Sequence, residues 1–222
     1  SAFSTVDSLR DTYGADLVML FRPRQAGEGR CGLAPVGGFR TNGDFSSVAE
    51  RNTAYSHIAV DCPVDLVAAH ELGHNMGLSH SHLEDGSGGT FNFSTGHGVE
   101  GQFVTIMAYP GAFNTETRVS LFSNPLQDCI GFDCGVDADN EFGADAVQSL
   151  NLVRHQIANY FPTRVPELPK ATISTLSGEA STANISIAAS QDGGLSFTQK
   201  VSTTDSVSLE ANVEIDKQHI GL

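Results

Sequence analysis

The chain has 222 residues, which is enough for one sizeable domain and part of a second. Its net charge of -14 argues against nucleic acid and anionic membranes as partners, and no apolar run approaches membrane-spanning length. The same charge is typical of a soluble secreted protein or one from a salty environment. An acidic surface that only maintains solubility explains it equally well.

In chain order, the first 161 residues predict mixed α and β structure. VDSLRDTYGA predicts a short helix, followed by the strand DLVMLF, and CGLAPVGGF and YSHIAV predict two further strands. DLVAAHELGHNMG predicts a helix with Asp65 as its N-cap and Gly77 as its C-terminal stop. Residues 81–105 predict loop with a short hairpin. Apolar spacing predicts an amphipathic helix from Glu141 to Tyr160.

The composition changes near residue 162, before which the chain contains no lysine. We therefore expect a first domain over 1–161, a proline-rich linker over 162–170 and an all-β segment over 171–222. In this segment ISIAAS, LSFTQKV and VSLEANVEI alternate apolar and polar residues as half-buried strands do. We interpret it as the truncated start of a β-sandwich-like accessory domain.

The four cysteines allow three pairings. Cys129 and Cys134 enclose only IGFD, which favours a small looped disulfide and leaves Cys31 to pair with Cys62. Two disulfides indicate an oxidising compartment. Since no signal peptide opens the chain, we expect a processed form of an exported, extracellular and monomeric protein.

The most informative stretch is AAHELGHNMGLSHSH, residues 68–82. Residues four apart share a helix face, so His70 and His74 can bind one metal ion together. Glu71 then lies beside the ion, where it can contact a water molecule. Gly77 permits the left-handed turn that brings His80 in as the third ligand. Three histidines leave one position open, as in a catalytic zinc site.

HELGHNMGLSH resembles the signature of the metzincin metallopeptidases, whose Met-turn is matched here by TIMAYPG with Met107. HELGHNMG, GADLVMLF, CGLAPVGGF and LFSNP look most like reprolysin (adamalysin)-type enzymes, particularly bacterial ones such as peptidyl-Asp metalloendopeptidases. The chain departs from the reprolysin pattern at Ser81, where that pattern has aspartate, and at Tyr109, which is similar to astacins and serralysins. The first strands of a metzincin sheet are missing ahead of residue 5.

The resemblance implies an α/β (α+β) catalytic domain with a twisted mixed sheet and an active-site helix. It also implies a secreted zinc-dependent endopeptidase in which Glu71 is the general base for a zinc-activated water. Tyr109 would bind zinc or the oxyanion, or would simply pack against the turn. An edge strand containing Gly32, Leu33 and Ala34 would pair with the peptide substrate, and Pro110 would help to form its side-chain pocket.

If the peptidyl-Asp resemblance extends to side-chain preference, an arginine should line this pocket, and Arg118 is the nearest in sequence. A calcium site at Asp137, Asp139 and Glu141 is the weaker interpretation of GVDADNEFG, since helix capping by Asp139 or Asn140 explains it more simply.

Three alternatives remain open. His82 competes with His80 as the third ligand, although the family spacing favours His80. A catalytically silent binding protein with a metzincin fold is the second, and the intact Glu71 counts against it. A zinc hydrolase such as a peptide deformylase is the third, but it would lack the Met-turn.

Overall fold

The structure is a computed structural model that describes residues 2–25, 27–62, 65–85 and 87–162, together with the backbone of two later strands, 183–189 and 195–201. The chain divides into two compact units, Ser1–Arg164 and Val165–Leu222. The predicted mixed α/β fold class is confirmed. The finer domain boundaries stay a prediction.

A three-stranded mixed sheet forms one side of the first unit. It contains β1 (Val18–Arg22), β2 (Gly32–Leu33) and β3 (Tyr55–Ala59) in the order β1-β3-β2. β3 lies parallel to β1 and antiparallel to β2, so β2 lies at an edge of the described sheet. Only two residues of CGLAPVGGF form a strand, because the chain turns away at 37–40.

The described residues of this unit form four α-helices: α1 (Ala2–Tyr13), α2 (Val48–Thr53), α3 (Val67–Asn75) and α4 (Ala146–Ile157). α1 confirms the helix predicted at the start of the chain, whereas α2 was not predicted. Ser47 caps α2 by accepting a hydrogen bond from Glu50 N. Helix α3 packs against β3 and β2.

The predicted N-cap of α3 is wrong. Leu66, not Asp65, occupies that position, with a left-handed φ of 65° and no side-chain cap. Leu66 packs against the buried cluster of Leu78, Ile106 and Met107. Its burial outweighs the roughly 1 kcal/mol that a capping side chain provides.

The start of α4 also differs from the prediction. Residues 138–142 form turns, Ala144 forms a β-bridge with Val136, and Asp145 is the N-cap, where its Oδ1 accepts from Gln148 N at 2.9 Å. Neither Asp139 nor Asn140 caps the helix. Asp137 Oδ1 instead accepts from Asp139 N at 2.9 Å, within the turn.

Two short hairpins follow α3. β4 (Gly98–Val99) pairs with β5 (Phe103–Val104), as the loop composition predicted, and β6 (Asn124–Cys129) pairs with β7 (Phe132–Cys134), which was not predicted. Both predicted disulfides are present. Cys129–Cys134 closes the β6–β7 hairpin, and Cys31–Cys62 links the segment beside β2 to the end of β3.

In the second unit, β8 (Ala183–Ala189) and β9 (Leu195–Val201) pair antiparallel, as ISIAAS and LSFTQKV predicted. The third predicted strand, VSLEANVEI, lies outside the described residues. No helix in the described part of the chain is both long and apolar enough to cross a membrane.

Candidate metal centre

Three histidine side chains converge beside β2. His70 and His74 lie one turn apart on α3, and their Nε2 atoms are 3.1 Å from each other. His80 Nε2 lies 3.2 Å from His70 Nε2. Among the described residues, these three form the group of potential metal ligands that the fold brings together.

The turn after α3 places His80. Gly77 adopts a left-handed φ of 90°, and the amides of Gly77 and Leu78 donate to His74 O and Gly73 O, each at 2.9 Å. Ser79 N then donates to Ser94 O at 2.8 Å, which fixes the chain just before His80. The predicted role of Gly77 as the helix stop agrees with this geometry.

The Nδ1 atom of each imidazole lies within hydrogen-bond distance of an oxygen acceptor. His70 Nδ1 lies 2.9 Å from Ile106 O, His74 Nδ1 lies 2.8 Å from Leu78 O, and His80 Nδ1 lies 2.8 Å from Asp85 Oδ2. A carbonyl only accepts, so the Nδ1 atoms of His70 and His74 carry their protons and the Nε2 atoms present lone pairs.

The lone pairs of His70 and His74 converge with Nε2 of His80, an arrangement that favours a shared cation. Nitrogen ligands about 2.0–2.1 Å from a tetrahedral zinc ion lie about 3.3 Å from one another, close to the separations seen here. Burial lowers the pKa of His70 to about 3 and that of His74 to about 4, in both cases keeping the ring neutral and ready to bind a metal. The residues present therefore fit a zinc ion.

Glu71 lies next to this group with its side chain buried. Burial raises the pKa of its carboxyl to about 7, near the pH at which a general base works best. The edge strand reaches it directly, because a Cβ added at Gly32 would lie 2.6 Å from Glu71 Cγ and 2.7 Å from Cδ. A larger residue at this point of β2 would force the Glu71 side chain to move.

The predicted Met-turn lies beneath the histidines. Ala108 N donates to Thr105 O at 3.1 Å, which closes a four-residue turn with Met107 inside it. Met107 is fully buried and its sulfur packs under Gly73 of α3. The neighbouring carbonyl of Ile106 accepts from His70, so the turn positions a ligand as well as filling space.

Tyr109 follows the turn, with its ring centroid 4.5 Å from that of His80 and 5.6 Å from that of His70. Burial and then the nearby Glu71 raise the pKa of its phenol, so the hydroxyl keeps its proton at neutral pH. Tyr109 can therefore act as a hydrogen-bond donor.

A cleft of about 620 Å³ contains these groups and is lined by Gly32, Leu33 and Ala34 from the predicted edge segment. Pro110 is not among its lining residues; it begins a 3₁₀ turn, Pro110–Phe113. His82 lies apart from the histidine group, and its Nε2 is 2.9 Å from Gly143 O. The acidic residues at 137–141 form no metal-binding group within the described residues, so calcium gains no support there.

Two carboxylates that follow His80 in the chain were not predicted to belong to the site. Asp85 accepts from His80, and Glu84 accepts from both Ser81 and the backbone N of Tyr109. Ser81 stands where the reprolysin pattern has aspartate, and Glu84 contributes a carboxylate that accepts hydrogen bonds from the Ser81 backbone N and side-chain Oγ. The SHLED run just after the third ligand was the available signal.

Comparisons with known proteins agree with this arrangement. A family model described as metallo-peptidase family M12, of reprolysin type, matches residues 1–123. A peptidyl-Asp metalloendopeptidase from Pseudomonas aeruginosa is 41% identical over 178 residues, 72% of this chain and 29% of its own length. The chain thus spans less than a third of that relative.

The solved structures include one described as a chaperone-substrate complex, in which a chain matches with a TM-score of 0.50 and 23% identity. The match covers 71% of this chain and 22% of the other, and it shows likeness of fold alone. Because the family model covers more than half of the sequence, the chain belongs to metallo-peptidase family M12, as the metzincin-type signature predicted.

Proposed function

We propose that this protein is a secreted zinc-dependent endopeptidase that hydrolyses peptide bonds in protein or peptide substrates. The observation that carries the proposal is the convergence of three imidazole Nε2 atoms beside a buried glutamate at an open edge strand. Metallopeptidase membership and the peptidyl-Asp metalloendopeptidase relative support it.

His70, His74 and His80 would hold the zinc ion. Zinc in a three-histidine site supplies Lewis acidity, which lowers the pKa of a water molecule to about 7 and polarises a carbonyl. The hydrogen bonds at Nδ1 of the three rings orient the rings and favour the tautomer in which Nε2 presents its lone pair to the ion.

Glu71 would take the proton of the attacking water on its carboxylate and transfer it to the departing amine. Burial raises the pKa of this carboxyl, so Glu71 is a stronger base than an exposed glutamate. The protonated Tyr109 hydroxyl would donate a hydrogen bond to the oxygen that becomes anionic.

Gly32 and Leu33 would bind the substrate through the backbone. β2 pairs with β3 on one side only, so an extended peptide can add on its other side in the described part of the sheet. Because Gly32 lies against Glu71, such a peptide would pass next to the general base.

Secretion is part of the proposal and rests on the two disulfides, since disulfides persist in oxidising compartments. The bacterial relative makes bacterial export the simplest route.

The test is digestion of a proteome-derived peptide library by the zinc-loaded 222-residue chain, read by mass spectrometry, beside Glu71→Gln. We expect cuts from the unmutated chain and a loss of at least about 100-fold in Glu71→Gln, which keeps one zinc ion per chain. Glu116→Gln, at an exposed position, is the matched control and should cut normally. Zinc binding without any cutting would refute the proposal, as would equal cutting by both variants.

A further inference from the structure

Arg118 lines the same cleft as the edge strand segment and the histidine group. Its backbone is held firmly, because Val104 N donates to Thr117 O and Val119 N donates to Val104 O, each at 2.9 Å. These bonds align residue 118 with β5 in a parallel bridge. The arginine therefore projects from an ordered segment beside the Met-turn.

The guanidinium is anchored next to a metal ligand. Arg118 Nη1 donates to Ile106 O at 3.2 Å, and the same oxygen accepts from His70 Nδ1 at 2.9 Å. One of the five guanidinium donors is thus used by the protein, and the side chain lines the cleft that contains His70 and Glu71.

Among the residues that the structure describes, no carboxylate forms an ion pair with this half-buried cation. In the described ranges two ion pairs form, Arg22–Glu28 and His80–Asp85, and Arg118 belongs to neither. Glu84 and Asp65 are near enough to attract the guanidinium, but Glu84 is hydrogen-bonded to Ser81 and to Tyr109 N. A half-buried guanidinium with free donors at a substrate cleft is suited to a carboxylate that arrives with the substrate.

Besides Glu71 and Asp85, which lie with the histidine group, two charged residues line the cleft together with Arg118. Arg30 also lines it, but its side chain is exposed, so solvent weakens any ion pair it makes. Asp65 also lines the cleft and is exposed, so it would repel an acidic substrate only weakly for the same reason. The partly desolvated Arg118 is the group with the larger effect.

We propose that Arg118 determines specificity by binding the carboxylate of an aspartate or glutamate side chain next to the scissile bond. The proposal rests on the endopeptidase function above and assigns the residue responsible for an acidic preference.

The experiment uses peptide pairs that are identical except for Asp or Asn on either side of the scissile bond. Asn has the shape of Asp without its charge, so the ratio of kcat/KM isolates the carboxylate. The unmutated chain should prefer the Asp peptide by about 10- to 100-fold, the range of a charge-assisted hydrogen bond. A peptide with Glu in place of Asp tests whether the pocket also accepts the carboxylate of a longer side chain.

In Arg118→Gln the Asp-to-Asn ratio should fall to within about threefold, with the loss confined to the Asp peptide. A purely structural role, through the bond to Ile106 O, would slow both peptides equally. Arg118→Lys keeps the charge and should keep part of the ratio. Arg154→Gln, at an exposed position on α4, is the matched control and should leave the ratio unchanged.

A binding measurement separates this proposal from the proposed function. Fluorescence anisotropy on the zinc-loaded Glu71→Gln chain should show the same Asp-over-Asn ratio in Kd, and Arg118→Gln in that background should remove it. If nothing is cut but this Arg118-dependent ratio appears, the endopeptidase proposal fails and the specificity site stands. If peptides are cut with no Asp preference, or if only Arg30→Gln removes it, the assignment to Arg118 is overturned. If neither cutting nor discrimination is seen, both are overturned.

Discussion

Removal of the Asp85 carboxylate should weaken zinc binding. Its Oδ2 accepts three hydrogen bonds: from Ser79 Oγ at 3.0 Å, from His80 N at 3.1 Å and from His80 Nδ1 at 2.8 Å. His80 is the least buried of the three histidines, so it depends most on this support for its orientation. Asp85 thus fixes both the ring and the backbone of one ligand.

The expected loss of zinc affinity depends on how far the His80–Asp85 pair is exposed to solvent. Loss of a residue that orients a metal ligand lowers metal affinity by about 10–100-fold. The Asp85 side chain is 37% exposed, which places Asp85→Ala at the lower end, at about 10-fold or roughly 1.4 kcal/mol. Asp85→Asn keeps a neutral acceptor for the ring N–H, and neutral bonds are about half as strong, so about threefold is expected.

The assay is a competitive zinc titration against a chromophoric chelator at fixed pH, with thermal unfolding of the metal-free chains recorded alongside. Asp139→Ala, at an exposed turn position, controls for the loss of one negative charge. Zinc affinity within twofold of the unmutated chain in Asp85→Ala would refute the reasoning. An equal loss in Asp139→Ala would refute it as well, because it would indicate long-range charge alone.

Three further predictions concern local packing and charge. Gly32→Ala should retain zinc and lower kcat by about 100-fold, because the new Cβ displaces Glu71, the general base. Gly29→Ala is the control and should cut normally, because a Cβ there meets no atom within 4 Å. Gly77→Ala should lower the free energy of unfolding by about 2–4 kcal/mol through left-handed strain and overlap with buried side chains, measured by urea denaturation. Gly101→Ala, equally left-handed but unobstructed, should lose only about 1 kcal/mol. The hydrogen bond from Arg22 lowers the pKa of Glu28 to about 2. The Arg22–Glu28 pair should therefore stabilise the fold fully above about pH 4.5, and this stabilisation should be lost as the pH falls toward 2. NMR titration of the Glu28 carboxyl can follow this loss.

Each of these predictions has an outcome that contradicts it. Normal turnover in Gly32→Ala would mean that Glu71 can move without consequence. If Gly77→Ala and Gly101→Ala lower the free energy of unfolding equally, the overlap with buried side chains at residue 77 does not contribute. A Glu28 midpoint near 4.5 would mean that its pairing with Arg22 does not form in solution.

The sequence identified the three histidines that the structure brings together, because they lie within one short segment. The spacing of His70 and His74 follows from helix geometry alone, and Gly77 identifies the turn that returns His80 to them. Met107 could be identified because the resemblance specified a methionine in a turn. None of these predictions depended on knowing which distant segments touch.

Features that depend on distant contacts were not predicted. Asp65 looked like the better cap by propensity, but the packing of Leu66 against the core moved the start of α3. Asp85 became the partner of His80 through the turns at 82–85, which the composition predicted only as loop. The position of Arg118 beside the site depends on its pairing with β5, which sequence distance could suggest but not establish.

The most direct test of the zinc centre is an anomalous difference map from crystals of the zinc-loaded chain, recorded at the zinc absorption edge. We expect one peak, bound by Nε2 of His70, His74 and His80 at about 2.0–2.1 Å, with Glu71 beside it and not bound to it. A peak bound by His82, by Glu71 or by the Asp85 carboxylate in place of one of these imidazoles would contradict it.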